Sequence, residues 1–79
     1  SLRWYALRTK SRCERLVATH LHGRGYEEFL PLYRSLERWT DRDQSVDFPL
    51  FPGYCFCRFD AWRRLPILTT PGLVSIVGC

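Results

Sequence analysis

The sequence predicts an α+β domain, an antiparallel β-sheet sandwiched by helices, in the order β-α-β-β-β-β-α-β. Three observations carry this expectation. Apolar, aromatic or β-branched segments stand near both ends, at 2–9 and 73–77. A segment with apolar residues four apart follows the first of them. Prolines and glycines then cut the middle of the chain into short extended pieces.

Leu2 to Thr9 reads as a strand, and its place at the head of an α+β chain suggests a central one. Ser11-Arg12-Cys13-Glu14 has the form of a capping box, with Ser11 and Glu14 exchanging bonds to each other's amides. A helix follows to about His22. Cys13, Val17 and Leu21 form its apolar stripe, with Leu16 beside them. Arg12, Arg15, Thr19 and His22 point outward, and His20 lies at the margin. Gly23 and Gly25 end the helix.

Residues 26–30 and 32–39 are extended, with Pro31 between them. The polar run 40–44 reads as a turn joining hairpin arms at 32–39 and 45–50. Phe48-Pro49-Leu50-Phe51-Pro52-Gly53 cannot be a regular central strand, because two prolines remove two donors. It reads as an extended edge and a sharp turn that presents Phe51. Residues 54–59 alternate, with Tyr54, Phe56 and Arg58 on one side and Cys55, Cys57 and Phe59 on the other. Asp60 can cap a helical segment over 61–68, in which Pro66 predicts two short turns, or a kink, rather than one straight helix. Pro71-Gly72 is a turn, and 73–77 is the final strand.

Seventy-nine residues make one domain. Hydrophobic residues at 46 % and charged residues at 25 % exclude disordered and collagen-like classes. No apolar run approaches the ~18 residues of a membrane span, and no signal peptide is visible. A cytoplasmic protein with no membrane partner is expected. The chain opens on Ser1 rather than methionine, as a trimmed piece of a longer protein does.

The net charge of +4 is unevenly spread. Residues 1–25 hold six basic side chains against one acid, Glu14, and residues 26–79 hold six against seven. The positive charge thus belongs to the N-terminal third, as a phosphate-facing patch or a solvated helix face requires.

Cys13, Cys55, Cys57 and Cys79 do not form a zinc pattern, since Cys55 and Cys57 are spaced C-x-C and neither histidine has ligand spacing. They read as reduced, mostly buried thiols. No metal site and no cofactor are expected. No nucleophile–base pair, Gly-rich phosphate loop or carboxylate pair is present, so the chain is expected not to be an enzyme.

The remaining signal is aromatic. Trp4, Tyr5, Phe51, Tyr54 and Phe56 gather on the first strand and the Pro-Gly turn strand. A small domain with 15 % aromatic residues has more rings than its core needs. Exposed rings on a sheet bind bases or a partner's apolar surface.

Gly53-Tyr54-Cys55-Phe56-Cys57-Arg58-Phe59 resembles the third-strand motif of RNA-recognition domains, with Pro52 in place of the usual basic residue. The interval from Gly25 to Tyr54 is too long for one strand and a loop. That resemblance implies a stand-alone single-stranded RNA binder stacking bases on Tyr5, Tyr54 and Phe56.

A second resemblance covers nearly the whole chain. Trp4-Tyr5-Ala6-Leu7, the helix 14–21, Leu50-Phe51-Pro52-Gly53-Tyr54-Cys55-Phe56-Cys57 and Pro71-Gly72-Leu73-Val74-Ser75-Ile76-Val77-Gly78 resemble the strand, helix, Phe-Pro-Gly/Asn-Tyr signature and closing strand of the N-terminal (NGN) domain of the NusG family of transcription elongation factors. Specialised paralogues of the RfaH and capsule-operon type are resembled at least as closely. The family's C-terminal KOW barrel would lie beyond Cys79, so 1–79 is expected to be the N-terminal domain alone.

The resemblance implies a monomeric, non-enzymatic domain. It would dock on the clamp helices of the largest RNA polymerase subunit and suppress pausing or termination. Phe51, Pro52, Tyr54, Phe56 and Arg8 are the implied polymerase contacts. Lys10, Arg12, Arg15, His20 and Arg24 are the candidates for nucleic-acid contact. For Lys10, His20 and Arg24 the paralogues imply contact with the exposed non-template DNA strand.

Overall fold

The computed structural model describes residues 1–39 and 42–78. Strand β1 (Leu2–Thr9) leads to helix α1 (Glu14–Gly23) and a short strand β2 (Glu27–Phe29). Strands β3 (Leu32–Trp39) and β4 (Arg42–Pro49) follow, then β5 (Tyr54–Asp60). A 3₁₀ turn (Ala61–Arg63), helix α2 (Leu65–Leu68) and strand β6 (Leu73–Gly78) complete the chain. The α+β class and the element order are those the sequence predicts.

Four strands form one sheet in the order β2-β5-β1-β6, with every neighbouring pair antiparallel. β1 is central, as expected. β1 and β2 therefore run the same way with β5 between them, and β5 and β6 run the same way with β1 between them. These are two interlocked split β-α-β units.

Strand alternation sends Leu7, Cys55, Cys57 and Phe59 to one face. There they form a single core with Val17, Ala18 and Leu21 of α1 and Ile67 of α2. Tyr5 joins that face, its ring 4.5 Å from Phe59. Both helices thus cover the same side of the sheet, rather than one on each. The other side carries Trp4, Ala6, Arg8, Tyr54, Phe56 and Phe29.

The remaining strands, β3 and β4, pair only with each other. The sequence predicts one sheet for all the strands, and the structure has two. Pro31 separates β2 from β3, and Pro49, paired with Leu32 at the end of β4, has no N–H to offer a further strand. Leu50 donates its N–H to the Pro31 carbonyl at 2.8 Å and closes the hairpin base. Arg15 fastens that base to α1 by donating to the Asp47 carbonyl at 3.0 Å, and Arg34 pairs with the Asp47 carboxylate at 3.1 Å. Because the hairpin projects from the sheet, the molecule is long, 52 × 21 × 19 Å. β4 already begins at Arg42, so the expected turn at 40–44 is shorter; its residues 40 and 41 lie outside the described chain.

The capping box does not form. α1 begins at Glu14 with no side-chain cap, and Arg12 takes a left-handed φ of 63° in the preceding turn. Glu14 turns the other way, to an acceptor role described below. Its carboxylate still lies in the first turn of the helix, where the dipole favours negative charge.

Asp60 does cap, accepting the Trp62 N–H at 3.0 Å, and Pro66 splits the segment into two short turns as predicted. Proline is tolerated there because the first turn of a helix has no internal use for its N–H.

Candidate functional site

The face of the sheet opposite the helices holds an apolar hollow of about 260 Å³ lined by Trp4, Phe29, Phe51 and Phe56. Phe56 is its centre. It lies 6.3 Å from Phe29 across the β2–β5 pair and 5.9 Å from Phe51, edge to face. On its other side Phe56 faces Ala6, whose single methyl adds no bulk above the sheet. Such aromatic pairs are stabilising beyond their burial, so the rings hold a shape rather than a loose cluster.

Phe51 is 49 % exposed, yet it is rigidly mounted. Residues 51–54 form a β-turn closed by the Tyr54 N–H donating to the Phe51 carbonyl at 3.1 Å. Pro52 fits the second position of that turn. Gly53 supplies the positive φ, 83°, that the third position of a type II turn demands. Both polar groups of Gly53 are engaged. Its carbonyl accepts from the Thr9 N–H at 2.8 Å, and its N–H donates to Glu14 Oε2 at 2.9 Å. Glu14 is only 5 % exposed. The turn is therefore fixed at once to the end of β1 and to the start of α1. The 70–73 turn is fixed to the same junction, since Lys10 donates its N–H to the Gly72 carbonyl at 2.8 Å.

The rim of the hollow is polar. Arg8 sits opposite Tyr54 in the β1–β5 register, and both are exposed. Arg58 faces Trp4 and pairs with Glu27 at 3.4 Å. Directly beneath, Cys55 and Cys57 point into the core and are free thiols. Burial, then the charge of Glu28, pushes Cys55 up to about 11. Burial, then Cys55 and Glu28, pushes Cys57 up to about 12. At neutral pH both are protonated packing groups without thiolate chemistry.

A family model described as transcription termination factor nusG matches residues 2–79. The chain belongs to the NusG family. No curated protein matches it. The NusG family comprises transcription elongation and termination factors, and the antiparallel α+β architecture agrees with its N-terminal domain. Among the described residues, no helix is long and apolar enough to cross a membrane.

Within this NusG domain, the five residues for which the resemblance implies a polymerase contact divide: Pro52, Tyr54 and Arg8 line a concavity beside the 51–54 turn, and Phe51 and Phe56 line the hollow. Trp4 and Phe29 complete it and were not assigned to the site. Trp4 shares the even-numbered face of β1 with Arg8, which alternation reveals. Phe29 joins only because β2 pairs with β5, and nothing in the sequence states that strand order. Tyr5, the third platform of the RNA-binding reading, packs on Phe59 on the helix side, so the three rings of that reading do not share a face.

The five basic candidates are exposed but not gathered. Lys10 and Arg12 precede α1, while His20 and Arg24 stand near its far end, ~15 Å along a ten-residue helix. Two of the five have structural partners. Arg15 holds the hairpin base, and Arg24 donates to the Pro66 carbonyl at 2.8 Å, tying α1 to α2.

Proposed function

We propose that this NusG-family domain binds RNA polymerase through the bare sheet face, on the clamp helices of the largest subunit, and there suppresses pausing or termination. The hollow between Trp4, Phe29, Phe51 and Phe56 carries the reading. It has room for a large apolar side chain presented by a partner helix, the usual form of helix-in-groove recognition. Rings on fixed backbone lose little freedom on binding, and aromatic anchors in a central pocket dominate interface energies. The polar rim of Arg8, Tyr54 and the Arg58–Glu27 pair suits the edge of such an interface.

The basic residues of the N-terminal third support a second contact of the same complex, with the exposed non-template DNA strand. Among the described residues, Lys10, Arg12 and His20 have no side-chain partner and are exposed, while Arg15 and Arg24 have a share in the fold.

The test is Phe51→Ala in a polymerase-binding titration. Affinity is expected to fall by about 1–2 kcal/mol, roughly 5- to 30-fold, with an unchanged circular dichroism spectrum. A variant that unfolds, or that binds as well as the original, refutes the assignment.

A further inference from the structure

Trp62 is 93 % exposed, the most exposed large hydrophobic side chain among the described residues. It is not part of the core, the hollow or any aromatic pair described above. It stands in the 3₁₀ turn after β5, where Asp60 pairs with Leu2 at the start of β1. That is the opposite end of the sheet from Gly53, ~23 Å along β1.

Its backbone is not loose. Asp60 accepts the Trp62 N–H, which locks the turn and projects the indole outward. The indole forms one wall of a concavity of about 270 Å³, lined also by Ser1, Arg3, Tyr5, Asp60 and Ala61. The Tyr5 ring, tilted against Phe59 at 4.5 Å, braces its floor. Arg63 and Arg64 follow Trp62 directly and are exposed. Among the described residues, Arg3, Arg63 and Arg64 have no hydrogen-bond or ion-pair partner. The one acid here, Asp60, is shared between the Trp62 N–H and the Ser1 ammonium, 3.7 Å away.

We propose that this concavity binds one nucleotide of a single-stranded nucleic acid, with a base stacked on Trp62 and the flanking phosphates on Arg3, Arg63 and Arg64. The chemistry is that of a sequence-tolerant single-strand site: a flat aromatic platform beside unneutralised guanidiniums. The concavity is large enough for a base. An apolar protein surface is a poorer fit, because the lining sets two rings, Tyr5 and Trp62, among the polar or charged groups of Ser1, Arg3 and Asp60, with the exposed Arg63 and Arg64 next in the chain. The site is independent of the Phe51 hollow and of the α1 basic residues.

The experiment titrates the 79-residue chain into fluorescein-labelled oligodeoxythymidine and oligouridine, each about twelve nucleotides long, and reads anisotropy at several salt concentrations. Trp62→Ala is expected to weaken binding at least about tenfold, and Trp62→Phe to retain most of it. Arg63→Ala with Arg64→Ala is expected to flatten the slope of log affinity against log salt by about 1.4. Leu36→Ala, exposed on the β3–β4 hairpin and outside both sites, is expected to bind as the original does. Binding of either strand that Trp62→Ala weakens supports the site, and the arm that shows this loss identifies the source as DNA, RNA or either. Circular dichroism checks each variant, and an exposed indole can be cut back without touching the core. Failure to bind either strand overturns the proposal. So does Trp62→Ala binding undiminished, duplex DNA binding as tightly as single strands, or polyglutamate binding where the oligonucleotides do not.

Discussion

Glu14→Ala removes the acceptor that holds the Phe51 turn to α1. The Glu14 carboxylate is buried and accepts the Gly53 N–H at 2.9 Å. A hydrogen bond to a charged group contributes about 1.5–3 kcal/mol, and the substitution also strands a partly buried N–H. The two effects overlap, so the expected loss is roughly 2–3 kcal/mol. For a domain of this size that lowers Tm by roughly 10–20 °C. Glu14→Gln keeps an oxygen at the same reach but loses the charge, and its expected loss is about half as large. Urea unfolding of the three proteins gives the stabilities, and amide exchange at Gly53 reports the bond itself. The expected order is original, then Gln, then Ala, with Gly53 exchange accelerated in step. Equal stability of all three, with Gly53 exchange unchanged, refutes the claim that this carboxylate fixes the turn.

Gly72→Ala is expected to destabilise by more than about 1 kcal/mol, because φ is 87° and the added methyl would meet Cys13 Cβ at 3.0 Å and Val17 Cγ2 at 3.2 Å; chemical unfolding measures it, and a neutral result contradicts the packing of that turn on α1. The buried thiols predict an alkaline limit. Their ordinary value of 9.0 rises to about 11 and about 12 in the fold, so the unfolded chain loses these protons first. Stability from this source is therefore whole below about pH 9 and declines from there to about pH 12, which Cys55→Ala with Cys57→Ala should abolish in a pH series of unfolding curves. Iodoacetamide at pH 8 should label half-buried Cys13 before either of them, as mass spectrometry of the native protein reads directly.

The parts of the fold legible in the sequence are those where a residue has few conformations to choose from. Pro52-Gly53 permits little besides a turn, Pro66 forces a break, and alternation over 54–59 sorts rings from cysteines without knowledge of the neighbours. The parts that were not legible depend on who the neighbour is. Glu14 fits a capping box by local spacing, but Gly53, 39 positions away, offers a buried donor that a local reading cannot see. Phe29 enters the hollow through the β2–β5 pairing. The hairpin's separation from the main sheet is a matter of strand order, which no local pattern in the sequence states. Trp62 looks like an ordinary helix residue until the turn at Asp60 leaves it pointing at solvent.

The central position of β1 has a consequence for synthesis. Its two sheet neighbours, β5 and β6, are both encoded after residue 53. As the chain leaves the ribosome, β1 must wait with both edges unpaired and Trp4 uncovered until most of the domain has emerged. α1 and the β3–β4 hairpin can form early from local contacts, but the sheet cannot. Long-range strand pairing of this kind is slow, and unpaired edges invite association with other chains. The nascent chain is thus most vulnerable between the emergence of β1 and that of β5, a window in which chaperone capture protects it and ribosome crowding on one message endangers it.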